Sequence, residues 1–159
     1  MKTNLQVEIE AITNFANALK LMKNSGVIRS GRYTGDIGEW LVEQLYQGKR
    51  STKMTEKGWD VMIDNSGDQL QVKTQTYDPK NTWNYFDSPQ NDFTRFVQII
   101  LTDDILIQDI FDVPRLDFLK ILRKGKDNKL SYKWNELKKW RVVPNSLPGY
   151  HRLSELFKK

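Results

Sequence analysis

The chain reads as an α/β (α+β) protein, with a mixed central sheet flanked by helices. Three observations predict this. Helical and strand-like patterns follow one another as helix, strand, strand, strand, strand, helix along 159 residues, which suits layers packed around one core. Phe96-Val97-Gln98-Ile99-Ile100-Leu101 is nearly all apolar and reads as a buried strand. Between Gly58 and Gln75, two alternating segments flank the polar turn Asn65-Ser66-Gly67-Asp68, a hairpin signal.

The elements follow in chain order. Leu5, Ile9, Ile12, Ala16 and Leu19 recur at three- and four-residue steps, predicting a helix over 5–22 for packing or self-association. Residues 25–34 read as a loop with Gly26, Gly31, Arg29 and Arg32. A second helix is expected from about Asp36 to Gln47, with Ile37, Trp40, Leu41 and Leu45 as its stripe and Gly48 to end it. Residues 50–55 suit a short strand or extended segment. The hairpin strands are 59–64 and 69–76. Tyr77 to Asp92, with Pro79, Pro89 and several asparagines, has loop composition. A strand at 105–111 follows the buried one, and Pro114 is placed to open a helix carrying Leu116, Phe118, Leu119 and Leu122. Beyond a loop at 125–128, 130–134 suits a strand, 136–141 a short helix or strand, and 153–157 a terminal helix. One domain is expected: an N-terminal helix (1–25), a core (35–112) and a basic C-terminal part (113–159).

Composition narrows the chemistry. No cysteine is present, so disulfides, thiolate zinc sites and a cysteine nucleophile are excluded. The single histidine, His151, excludes a multi-histidine metal site and is expected at the surface. Gly31-Arg32-Tyr33-Thr34-Gly35 lacks the lysine and spacing of a phosphate-cradling loop. The opening residues lead into a charge-bearing amphipathic segment, and no apolar run reaches membrane-spanning length. A cytoplasmic protein without membrane contact or small-molecule cofactor is therefore expected. Net charge is +5 and unevenly placed: residues 1–110 carry 12 basic and 15 acidic side chains, residues 111–159 carry 13 and 5. A basic C-terminal third attracts a polyanion, or is simply a solvated basic surface.

The hairpin holds the chemistry. With a loop symmetric about Ser66 and Gly67, Asp60 stands opposite Lys73, and Asp60, Gln71 and Lys73 share one face while Val61, Leu70 and Val72 share the other. An ionisable group within a covered sheet needs a partner. Asp60 and Lys73 as a cross-strand ion pair would satisfy that need. So would a magnesium site, which wants oxygen ligands. Asp60 would give a carboxylate, Gln71 an amide oxygen and Val72 its backbone carbonyl. Lys73 would hold or help deprotonate a water, or neutralise a phosphate. Glu39, on the helix before the hairpin, is the best second acid, although Asp36 and Glu39 also suit a helix N-terminal capping arrangement.

Glu39, then Gly58-Trp59-Asp60-Val61, then Gln71-Val72-Lys73 together resemble the PD-(D/E)xK nuclease superfamily, the restriction-endonuclease-like fold. The Gln-x-Lys form is similar to its Mrr-type and Holliday-junction-resolvase-like branches. Trp59 precedes the aspartate where the family pattern has proline. The resemblance covers roughly residues 35–76. It implies a mixed sheet with the active hairpin inside it, Asp60 as the metal aspartate, Gln71 at the Glu/Gln position, Lys73 as the lysine and Glu39 as the helix acid.

A Mg²⁺- or Mn²⁺-dependent DNA endonuclease of the restriction, recombination or repair kind is the leading expectation. The alternatives are a catalytically silent nucleic-acid-binding module on the same fold and a protein-interaction domain. A homodimer is expected because cutting both strands needs two sites. Arg29, Arg32 and Lys49 would grip the backbone, Trp83 and Asn84 would contact bases, and Lys138, Lys139 and Arg141 would extend the basic surface. As exposed charges these could equally be solvated, and aromatics in a long loop could pack on the core. The residues leave RNA open as the substrate.

Overall fold

The computed structural model describes residues 4–52, 58–87, 89–125 and 127–159. Its centre is a five-stranded mixed sheet in the order β1-β2-β3-β5-β6. The strands are β1 (Gly48–Arg50), β2 (Val61–Ile63), β3 (Gln69–Thr76), β5 (Arg95–Leu101) and β6 (Ile107–Pro114). β3 and β5 run parallel; the other neighbours are antiparallel. A second, three-stranded antiparallel sheet joins β4 (Trp83–Tyr85), β8 (Leu130–Lys133) and β7 (Arg123–Lys124). This is the mixed sheet flanked by helices that the sequence predicts.

The apolar run of β5 divides between two cores because side chains alternate across a strand. Val97, Ile99 and Leu101 pack with Ile37, Leu41, Val42 and Leu45 of helix α2 (Tyr33–Tyr46). Phe96 and Ile100 pack on the other side with Phe118 of helix α3 (Arg115–Ile121) and Tyr132 of β8. Gln98, fully buried between those two, accepts a hydrogen bond from Tyr132 Oη at 2.5 Å. The small sheet therefore lies on the face of the central sheet opposite α2.

Several expectations need correction. α2 starts three residues before Asp36, so Thr34 and Gly35 are helical. Its end is marked by Gln47 in the left-handed region (φ 53°), while Gly48 begins β1. There a Cβ would come within 2.5 Å of the Met62 carbonyl oxygen, so close strand pairing is what requires glycine. The hairpin turn has the expected four residues but lies one residue earlier than assumed. Ile63 N–H donates to Asp68 O at 2.9 Å and Gly67 N–H to Ile63 O at 2.8 Å, with Gly67 at φ 73°. Four residues are thereby looped out, and Val61 pairs with Leu70 rather than Val72. The register moves by two, so every side chain keeps its face.

Residues 83–85, expected as loop, form β4 because the main chain and Tyr132 of β8 give it a partner. Pro114 ends β6 and caps α3 from outside the helix. Residues 134–140 are a 3₁₀ helix, and the terminal helix begins earlier, as α4 (Tyr150–Leu153). Residues 53–55 of the expected extended segment lie outside the described residues. Helix α1 (Asn4–Asn24) has no buried residue, although Leu19 and Met22 pack partly on the core. Among the described residues no helix is long and apolar enough to cross a membrane.

Candidate active site

β2 is short and β3 is long. Beyond Leu70 the outer edge of β3 loses its strand partner, and the chain supplies a side chain instead. Asp60 N–H still donates to Leu70 O at 2.8 Å. The next β3 donor on that edge, Val72 N–H, reaches the Asp60 carboxylate, at 2.7 Å from Oδ2. Asp60 thus replaces a missing ladder bond. In an extended strand the N–H and C=O of one residue point to the same side, so the Val72 carbonyl faces the same open edge.

Continuing the register by one pair sets Asp60 opposite Gln71, not Lys73. Gln71 Nε2 donates to Asp60 Oδ2 at 2.5 Å. The simple Asp60–Lys73 cross-strand ion pair is therefore absent: the charges sense each other, but Asp60 takes its hydrogen bonds from an amide and the backbone.

The opposite wall comes from α2 and the loop before it. Gly38 packs so closely on β3 that a Cβ there would lie 1.7 Å from Thr74 Oγ1. That approach brings Glu39 over the open edge. Arg29 Nη2 holds Glu39 Oε2 at 2.7 Å, and its Nη1 donates to Ser51 O at 2.8 Å. The loop carrying Arg29 is itself fixed by Asp36, which is buried and accepts from the N–H groups of Arg29 (2.7 Å) and Ser30 (2.6 Å). Asp36 thus ties down the preceding loop, and Glu39 is free of the capping role that the sequence allowed.

These walls enclose a cleft of about 330 Å³ lined by Arg29, Arg32, Glu39, Asp60, Val72 and Lys73, among others. Of the expected site residues, Glu39, Asp60, Val72 and Lys73 meet there; Gln71 supports Asp60 from beside it. Burial pushes the Asp60 carboxyl up to about 7 against the opposing Val72 N–H; Glu39 adds to the rise, and Arg29 and Lys73 reduce it. Burial also raises Glu39, partly offset by Arg29. Two carboxylates in one cleft with raised proton affinity fit a hard divalent cation, which would relieve their desolvation. Glu39 and Asp60 are the residues that would hold it. Among the described residues no three acidic, histidine or cysteine side chains form such a group, so the donor set is sparse.

The expected nucleic-acid contacts divide. Arg29 and Arg32 line the cleft, but Arg29 is already ion-paired. Lys49 pairs with Asp64 at 3.4 Å on the outer strand. Arg141 pairs with Asp109 and bridges to Phe111 of β6, at the far edge of the sheet. It follows Lys138 and Lys139 there, and Lys139 stacks over Trp140 at 3.9 Å. Trp83 projects outward, whereas Asn84 turns inward and donates to Gln75 Oε1. The ion pair holding Glu39 was not legible in the sequence; only the basic, Gly-rich loop before α2 hinted at it. Neither the family models nor the curated proteins compared with the chain give a match.

Proposed function

We propose that the chain is a metal-dependent endonuclease acting on DNA, of the PD-(D/E)xK kind that its motif resembles. One observation carries this reading: Glu39 and Asp60, brought from two separate elements, open with Lys73 into a single cleft edged by Arg32. A Mg²⁺ ion held by the two carboxylates would supply charge that acidifies water and stabilises a phosphodiester in attack. Arg32 and Lys73 draw the phosphate into the cleft. Lys73, as a cation, positions the water and balances the charge that builds on the phosphate, and Gln71 fixes the Asp60 rotamer through its amide. Arg29 holds Glu39 in place at the cleft wall.

The test is nicking of supercoiled plasmid with Mg²⁺ or Mn²⁺, against EDTA, for wild type, Asp60→Asn and Lys73→Ala. Metal-dependent nicking that falls at least about a hundredfold in each variant supports the site. Activity that survives both substitutions removes the assignment.

A second reading is a silent nucleic-acid-binding module. It is favoured by the Arg29–Glu39 pair and the Gln71–Asp60 hydrogen bond, which leave both carboxylates partnered without a metal. It predicts salt-dependent DNA binding with no heat of Mg²⁺ or Mn²⁺ binding by titration calorimetry.

A further inference from the structure

The small sheet has one buried and one open face. Cross-strand partners share a face. Asn84 and Tyr132 pair and point inward, where Tyr132 is fully buried. Trp83 pairs with Lys133, and Tyr85 and Arg123 both pair with Ser131, so these five side chains share the outer face. On it the two aromatic rings stand two residues apart and remain open, Trp83 at 47% and Tyr85 at 59% exposure. Exposed large aromatics in a strand forgo the burial that normally places them inside.

The surroundings of the rings are cationic. Lys133 Nζ lies 4.7 Å and the Arg123 guanidinium 5.6 Å from the centre of the Trp83 ring. Lys129 Nζ lies 5.6 Å from that of Tyr85. Two acids temper this charge: Glu136 pairs with Arg123 and Asp127 with Lys129. Lys133 has no ion pair among the described residues, and all three cations come from the basic C-terminal third of the chain.

We infer that this outer face binds unpaired nucleotides, with Trp83 and Tyr85 stacking on successive bases and Lys133, Arg123 and Lys129 meeting the phosphates. Flat rings beside cations match a single strand, which presents base faces and phosphates together. A duplex buries its base faces and cannot use the rings. Through Asn84 and Gln75 the platform is anchored on β3 two residues beyond Lys73, next to the cleft yet separate from it. The inference does not depend on cleavage.

The test uses the full chain in EDTA at low salt, about 50 mM, with a labelled oligothymidylate of about 12 nucleotides and a duplex of equal length. Wild type is expected to prefer the single strand and to lose tryptophan emission on binding. Trp83→Ala with Tyr85→Ala weakens single-strand binding at least about tenfold and duplex binding less than about twofold. Trp83→Phe keeps most of the affinity but loses the quenching. Lys133→Ala lowers the salt slope for the single strand by about 0.7. Undiminished single-strand affinity in the double variant overturns the inference, as does equal loss for strand and duplex, or absence of single-strand binding in the wild type. If the double variant does not fold, by circular dichroism, quenching that persists in Trp83→Phe overturns it instead.

Discussion

Asp60 is a carboxylate held where water is scarce, and its cost is measurable. Its folded value of about 7 lies above the 3.8 of an exposed aspartate. The native state therefore keeps a proton that the unfolded chain releases between those values. The stability this contributes is complete below about pH 4 and is lost as pH rises through about 7. Asparagine keeps an acceptor for Val72 N–H and loses the charge. In EDTA, Asp60→Asn is expected to gain stability relative to wild type by about 2–4 kcal/mol between pH 5 and pH 8, read from urea midpoints. Added Mg²⁺ at pH 8 should raise the wild-type midpoint and leave the variant's nearly unchanged; equal responses would argue against Asp60 as a ligand. The sequence made Asp60, Gln71 and Lys73 legible as neighbours because strand periodicity fixes faces. It could not show which of them Asp60 bonds, because that depends on where the turn sits, which Gly67 and the Ile63–Asp68 closure set.

At the scale of elements, the cleft exists because α2 lies almost against β3, and two glycines of one helix should respond oppositely. Gly38 meets Thr74 Oγ1 at 1.7 Å and Thr74 Cβ at 2.7 Å from an added Cβ, so alanine forces the helix outward. Gly38→Ala should cost about 1–3 kcal/mol and displace Glu39 from the cleft. Gly35 is helical with nothing within 4 Å of an added Cβ. Gly35→Ala should stabilise by about 0.5–1 kcal/mol through helix propensity. Equal destabilisation in urea melts would refute the helix-on-strand contact. In the sequence Gly38 fell inside the expected helix and Gly35 just before it, and neither spacing nor composition showed the contact with Thr74. The α2 stripe and the buried strand β5 were readable because burial imposes periodicity. β4 was not, since a three-residue strand among prolines and asparagines owes its form to its partner β8.

At the scale of the whole molecule, the charge asymmetry follows from the sequence, but the exposed helix α1 is a property of the assembled fold. Over 21 residues it is roughly 30 Å long, and none of them is buried. Its last turns touch the body through Leu19 and Met22, while Leu5, Ile9, Ile12 and Phe15 stay exposed. Leu5, Ile9, Ile12, Ala16 and Leu19 alternate steps of four and three, the spacing of a coiled-coil seam, which is complementary to a second copy of itself. A seam left in water leaves several large side chains unburied, each with about 1.5–3 kcal/mol to gain on full burial. Two chains paired along α1 would also present two clefts, as cutting a duplex on both strands requires. Sedimentation equilibrium is expected to give a dimer, converted to monomer by Ile9→Glu with Ile12→Glu, while the circular dichroism of the body is retained. A wild-type monomer at tens of micromolar would show that α1 does not pair with its own copy, and any cleavage would then proceed one strand at a time.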